Sequence, residues 1–152
     1  MRTIHRDIVG AFIFSRDNKV LLGQSIKGGV YQNLWVVPGG GIEDGETKLE
    51  ALIREIQEEV GLDIRKAGIE QLTHVSKGQS EKILRGTGER VIVVMTFYDF
   101  KVSLPFVASK LPLRSEDDFT DATWFSPEEI ETLMLGPPTA AVLEHLSFLQ
   151  TK

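Results

Sequence analysis

Three glutamates, Glu55, Glu58 and Glu59, stand at positions i, i+3 and i+4 of one segment. This spacing places their carboxylates on one side of a helix, where like charges repel one another. A divalent cation bound among them would offset that repulsion, because hard ions such as Mg²⁺ take oxygen ligands. The spacing therefore predicts a metal-binding carboxylate cluster, with a solvated acidic helix face as the alternative.

The segment that carries these glutamates has the start and stop of a helix. Thr47 and Glu50 form a capping-box pattern, and Gly61 is placed to end the helix in a left-handed conformation. The apolar residues between them fall on one stripe, which we expect to be buried. The members of this stripe are Leu49, Leu52, Ile53, Ile56 and Val60. The helix should therefore bury one side and present the glutamates on the adjoining side.

Three glycines, Gly39 to Gly41, precede the helix. Glycine lets the backbone approach an ion or a phosphate closely, and a helix N-terminus favours anionic groups. We expect this stretch to lie against the metal and the phosphates, with a merely flexible turn as the alternative.

Composition limits the classes of function. A chain of 152 residues fits one domain, over 1–152, and a net charge of -5 argues against stable nucleic-acid binding. The absence of cysteine excludes a disulfide framework and cysteine-ligated zinc, and it fits the cytoplasm. No apolar run approaches the ~18 residues of a membrane span, and we interpret the N-terminal stretch as a strand and not a signal peptide.

The remaining pattern mixes strands and helices, which indicates the α/β or α+β class with helices covering a mixed sheet. The stretch 76–90 is polar and glycine-rich, so we predict a long loop or a hairpin tip there. Helices are predicted to start at Ser126-Pro127 and, after Gly136-Pro137-Pro138, to span 139–150. Strands are predicted at 8–14, 19–22, 34–37, 91–100 and 121–125, with a further strand within 62–75.

The glycine, glutamate and helix residues together follow a longer pattern. Gly40, Glu46 and the run from Arg54 to Leu62 match G-x5-E-x7-R-E-U-x-E-E-x-G-U without departure, where U is a bulky aliphatic residue. The chain thus resembles the Nudix hydrolases. The resemblance implies an α/β/α sandwich with a mixed sheet and a loop–helix–loop catalytic motif. It also implies Mg²⁺-dependent hydrolysis, with Mn²⁺ able to substitute, of a nucleoside diphosphate linked to another group.

The resemblance also implies roles for residues of the motif. Glu55 and Glu59 would be the main metal ligands, and the Gly40 carbonyl would be a further contact. Arg54 would orient a glutamate, with Glu46 helping to hold that arginine.

The general base and the substrate contacts are less determined. Glu58 would be either a further metal ligand or the base, and Glu116, Asp117 and Asp118 form the alternative group for the base. Basic residues at Lys77, Lys82, Arg85 and Arg90 are candidates for phosphate contacts, against the alternative of an ordinary basic loop. Tyr31, Trp35 and Phe97 are candidates for stacking on a base, and core packing is favoured for the last two.

Outside the motif the chain looks similar to nucleoside-triphosphate pyrophosphatases of the family and to its GDP-mannose hydrolase branch. Residues 77–80 do not show the proline or tyrosine of the ADP-ribose and dinucleoside-polyphosphate branches. We therefore expect a small-molecule nucleotide substrate, with a (deoxy)nucleoside triphosphate first and a nucleotide sugar second. A non-catalytic binding module is the alternative from another class, and a homodimer, common in the family, stays open.

Overall fold

The structure, a computed structural model, describes residues 1–25, 33–115 and 119–149. Over these residues the chain forms seven strands, three α-helices and one 3-10 turn. In chain order they are β1 (Arg2–Phe14), β2 (Val20–Ser25), β3 (Trp35–Val36), β4 (Gly39–Gly41), α1 (Lys48–Val60), β5 (Gly68–Ile83), β6 (Arg90–Ser103), the 3-10 turn (Ala108–Lys110), β7 (Phe119–Phe125), α2 (Pro127–Ile130) and α3 (Pro137–His145). Across the described ranges, no helix has the length and apolar character needed to cross a membrane.

The described strands make one mixed sheet in the order β3-β2-β1-β6-β5, with β4 also paired to β1 and β7 to β2. β1 and β6 run parallel along their whole length, from Arg2 opposite Val91 to Phe14 opposite Ser103. The other pairings are antiparallel. The predicted mixed sheet of the α/β (α+β) class is confirmed.

β1 separates two apolar clusters because its side chains alternate between the faces of the sheet. Val9 and Ile13 are fully buried in the cluster that includes α1. Phe12 and Phe14 lie on the opposite face, in the cluster that includes Leu143 of α3. Helices thus cover both faces, as the α/β/α expectation required.

The predicted limits of the catalytic helix are confirmed. The Thr47 side chain accepts a hydrogen bond from the Glu50 backbone, the reciprocal bond is also present, and Gly61 adopts φ 75°. Leu52, Ile56 and Val60 are fully buried, but Leu49 is 45% exposed. The predicted burial of Leu49 is therefore wrong, because the Leu49 side chain belongs to neither apolar cluster, although Ala51 in the same turn is fully buried.

Of the two alternatives for 76–90, the long loop is wrong and the hairpin tip is confirmed over a shorter stretch. β5 continues to Ile83 and β6 starts at Arg90, so only 84–89 turn the chain, with Gly86 and Gly88 at positive φ. Pairing with β6 along its length overrides the polar composition of β5. For the same reason β1 begins at Arg2, ahead of the predicted strand 8–14.

The end of the chain differs from the prediction by a few residues. The two prolines begin the last helix, since proline is favoured in a first turn, and the helix ends at His145 instead of 150. The predicted helix start at Ser126 is confirmed by a complete capping box.

Candidate active site

Arg54, in the middle of α1, is the centre of the polar network between this helix and β4. Its guanidinium donates two hydrogen bonds to the Glu46 carboxylate, at 2.7 and 2.9 Å. It also donates to Glu55 at 2.9 Å, to Glu58 at 3.3 Å and to the Gly41 carbonyl at 3.1 Å. One side chain therefore fixes two helix carboxylates relative to the glycine strand β4.

Glu46 is tuned to stay ionised. The Arg54 guanidinium, aided by the Glu43 backbone N–H, lowers the pKa of the Glu46 carboxyl to about 2. The same contact raises the pKa of Arg54 further above its already high value. A carboxyl with so low a pKa cannot accept a proton near neutral pH, so Glu46 holds Arg54 and does not serve as a base.

The glycine strand lies directly against the helix carboxylates. The Gly39 N–H donates to Glu59 Oε1 at 2.8 Å. A side chain at Gly40 would place its Cβ 2.5 Å from both carboxylate oxygens of Glu55. β4 is itself held by β1, through pairs such as Gly39 with Gly10. The absence of side chains is therefore what lets Glu55 and Glu59 reach the backbone of β4.

The donor atoms suit a hard divalent cation. Carboxylates of Glu55, Glu58 and Glu59 and the Gly40 carbonyl are all oxygen donors, which Mg²⁺ prefers. In the part of the chain that is described, no three acidic or histidine side chains converge as a ready metal site. Instead, the Glu55 carboxylate accepts from the Arg54 guanidinium and the Glu59 carboxylate accepts from the Gly39 N–H. These donors occupy carboxylate oxygens that a cation would bind.

Glu58 is the most exposed of these carboxylates, with 59% of its side chain accessible against 16% for Glu55. Among the described residues, its carboxylate accepts a hydrogen bond from Arg54 alone, at 3.3 Å. Its carboxylate is therefore the one best placed to contact water.

The predicted basic contacts lie along the β5–β6 hairpin. Lys77 is exposed and pairs with Thr96, and Arg90 makes an ion pair with Glu81 at 2.7 Å. Phe97 of β6 lies opposite Ile8 of β1, which in turn pairs with Gly41 of β4. Arg90 is seven residues from Phe97 along β6, a distance of roughly 23 Å. Arg85 lies still further out, in the turn 84–89. The structure does not bring Arg85 or Arg90 to the glutamates.

Two groups of predicted residues fall outside the described ranges. These are the stacking candidate Tyr31 and the alternative base group Glu116, Asp117 and Asp118.

Sequence reasoning missed Asp99 and Arg6. Asp99 is 8% exposed inside β6, and burial raises the pKa of its carboxyl to about 6, with His74 acting in the opposite direction. Arg6 places its guanidinium directly against Gly41. For Asp99 the available signal was its position as the single acidic residue in the apolar run 91–100, which is unusual because burying a charge is costly.

The comparisons with known proteins agree on one family. The family model described as the NUDIX domain matches residues 4–146. Nucleoside triphosphatase NudI of Enterobacter sp. (strain 638) is 27% identical over 134 residues, covering 88% of this chain and 91% of the relative. NudI of Salmonella paratyphi B is 30% identical over 115 residues, covering 76% and 77%.

Solved structures share the fold. The E. coli dihydroneopterin triphosphate pyrophosphohydrolase superimposes with a TM-score of 0.69 at 19% identity, covering 91% of this chain and 92% of the other. The NUDIX domain of Shewanella oneidensis NrtR, solved with ADP ribose, gives 0.68 at 18% identity, covering 95% and 87%.

Proposed function

The chain belongs to the NUDIX domain family of hydrolases, and we propose that it hydrolyses a (deoxy)nucleoside triphosphate to the monophosphate and pyrophosphate. The network that joins Arg54, Glu46 and the helix glutamates to the glycine strand carries this proposal. The names of the relatives, nucleoside triphosphatases, support the substrate class. Family members generally use divalent metal ions. Mg²⁺, with Mn²⁺ able to substitute, is the ion that we propose here.

Each residue of the network has a proposed task. Glu55, Glu59 and the Gly40 carbonyl would hold the cation, and Glu58 would be either a further ligand or the general base. The bound ion would neutralise phosphate oxygens and make water a better nucleophile. Arg54 orients Glu55 and Glu58, and Glu46 fixes Arg54 through two charge-assisted hydrogen bonds.

Glu58 is the general base that we propose. Its carboxylate is the most accessible of the cluster, so it can take the proton of an attacking water. The group at Glu116, Asp117 and Asp118 remains the alternative. Replacing Glu58 and Glu116 separately by glutamine, and measuring activity against pH, decides between them, because loss of the base removes the fall in activity at low pH that its protonation causes.

The substrate contacts at Tyr31, Lys77, Arg85 and Arg90 also remain proposals. Arg90 lies roughly 23 Å along the strands from β4, and Arg85 lies further out in the hairpin turn. We therefore favour residues at β4 over these two arginines as phosphate contacts.

The composition and the two apolar clusters bear on the number of domains and on the compartment. We propose one catalytic domain over 1–152, since β1 contributes to both apolar clusters. The absence of cysteine supports the cytoplasm as its compartment. A homodimer stays open, and sedimentation of the purified protein tests it.

Product analysis on a nucleotide panel tests the function. With Mg²⁺, the protein should release pyrophosphate and the monophosphate from at least one (deoxy)nucleoside triphosphate. Glu55→Gln should abolish this turnover, whereas Glu144→Gln, on the exposed part of α3, should not. Preferential cleavage of nucleotide sugars would support the alternative substrate class. No turnover of any pyrophosphate compound, with equal ligand binding by wild type and Glu55→Gln, would support a binding module and contradict the proposal.

A further inference from the structure

Two opposite charges lie unpaired on the sheet face opposite α1. The side chains of Arg6 and Asp99 have no hydrogen bond or ion pair to any residue in 1–25, 33–115 or 119–149, although His74 interacts with Asp99 electrostatically. Arg6 is opposite Met95 and Asp99 is opposite Gly10, so both side chains project from the same face, four residues apart. That separation is roughly 13 Å along the strands, which is too far for them to neutralise one another.

An aromatic ring lies between these charges. Phe97 is half-buried, is opposite Ile8 on β1, and belongs to neither apolar cluster. On its other side Gly78 has no side chain, and a Cβ there would come 3.4 Å from the Phe97 ring. The ring therefore has a flat neighbour on β5, which leaves room for a planar group to stack on it.

The missing side chain at Gly10 makes room on β1 for the Asp99 carboxylate. A Cβ at Gly10 would come 3.0 Å from Asp99 Oδ1. On the other side β5 pairs at Gln71 and again at Val75, so 72–74 bulge opposite Asp99. Such bulges are frequent next to functional sites. Burying a carboxylate without partners costs stability, which a ligand with N–H donors would offset.

This face is connected to the candidate active site through the glycine strand. Gly10 pairs with Gly39, whose N–H binds Glu59, and Arg6 contacts Gly41, whose carbonyl accepts from Arg54. Asp99 is two strands from Gly39, or about 10 Å. A nucleotide with its phosphates at β4 can therefore reach Asp99 with its base.

We propose that this face selects the base of the substrate, and that Asp99 recognises a ring with an amino group beside a ring N–H, as in guanine. The base stacks on Phe97, and Arg6 contacts the phosphates near Gly41. Two adjacent N–H donors match the two oxygens of a carboxylate, as a guanidinium does. Uracil and thymine instead flank their N–H with carbonyl oxygens, which a carboxylate repels. This inference rests on the proposed triphosphate hydrolysis and names its substrate class.

A matched pair of substrates tests Asp99. dGTP and dITP differ only in the amino group, so wild type should show a kcat/KM for dGTP at least about tenfold higher than for dITP. Asp99→Asn should lose most of that preference, because an amide places an N–H donor against the N–H groups of the base. Asp63→Asn, an exposed residue past the end of α1, should keep it.

The outcomes separate the two proposals. Turnover of nucleoside triphosphates with equal rates for dGTP and dITP, or with a preference that Asp99→Asn leaves unchanged, overturns the base site but not the hydrolysis. If wild type hydrolyses no triphosphate, the proposed function fails, and calorimetric binding of dGMP and dIMP then decides the site. Tighter dGMP binding that Asp99→Asn removes supports it, and equal binding overturns it. Phe97→Leu should weaken both ligands by a similar factor, and no weakening would contradict stacking.

Discussion

At the scale of single residues, the site depends on one arginine that satisfies several carboxylates at once. Arg54 bonds Glu46 through two nitrogens and still reaches Glu55 and Glu58. An arginine can do this because its guanidinium offers five donors in a fixed plane. Lysine, with one charged nitrogen, could not hold the same partners.

Glu46→Gln tests whether Glu46 acts by positioning Arg54. The amide supplies one oxygen and one N–H group in place of two carboxylate oxygens, so one of the two bonds to Arg54 is lost. We expect kcat to fall by roughly 10–100-fold with little change in KM, because the substrate does not contact Glu46. Steady-state kinetics beside Glu144→Gln measure this. A change confined to KM would mean that Glu46 contacts the substrate instead.

Asp99 should make stability depend on pH. Its pKa is raised in the folded state to about 6 by burial, above that of the unfolded chain, so ionisation destabilises the fold. The penalty is full above the folded pKa, fades as pH falls from about 6 to about 4, and is absent below the unfolded pKa. Asp99→Asn should therefore stabilise the protein by on the order of 1–3 kcal/mol at pH 8 and by little at pH 4.

Thermal or urea unfolding at the two pH values checks this. His74 is the one group among the described residues that opposes the rise in the pKa of Asp99. A variant less stable than wild type at pH 8 would show that Asp99 has a structural partner.

At the scale of elements, β4 and α1 work as one unit. The strand supplies a backbone without side chains, and the helix supplies carboxylates that lie on it. Because β4 pairs with β1, the unit is anchored to the middle of the sheet.

Gly40→Ala tests the close approach of β4 and Glu55. The added Cβ would fall on the Glu55 carboxylate, so Glu55 must move away from β4. We expect metal-dependent turnover to fall by at least about tenfold, with a lower melting temperature as well. Gly68→Ala is the matched control, since a Cβ there would be 3.8 Å or more from its neighbours. Equal activity of both variants would contradict a tight contact.

The elements also show what local sequence can and cannot predict. The limits of α1 were predictable because the capping box at Thr47 and the glycine at Gly61 act within a few residues. The continuation of β5 from 76 to 83 was not, because this part of the strand is stabilised by pairing with β6 and not by its own composition. Asp99 was unrecognised for a related reason. A lone acidic residue in a strand does not tell which glycine or bulge will lie beside it.

At the scale of the whole molecule, β1 connects the glycine strand, the central sheet and both apolar clusters. It pairs with β4 and β6, contributes to both apolar clusters, and carries Arg6 and Gly10 next to the glycine strand. The long β5–β6 hairpin extends away from this centre, so its basic residues are remote from the glutamates.

Comparing Arg6→Ala with Arg90→Ala tests that arrangement. Arg6 lies against Gly41, whereas Arg90 is already paired with Glu81 in the hairpin. We expect Arg6→Ala to raise KM for a triphosphate by about tenfold or more, and Arg90→Ala to change it by less than about twofold. The reverse order would mean that the hairpin and not β4 contacts the phosphates.

The most direct test of the central claim is pyrophosphate release by Glu59→Gln with Mg²⁺, measured together with thermal unfolding in the absence of metal. Glutamine keeps an oxygen for the Gly39 N–H but lacks the charge that a cation needs. We expect turnover to fall to background and the melting temperature not to drop, since one like charge is removed from the helix. Turnover close to that of wild type, or a large fall in melting temperature, would contradict a catalytic metal-binding role for the glutamate cluster.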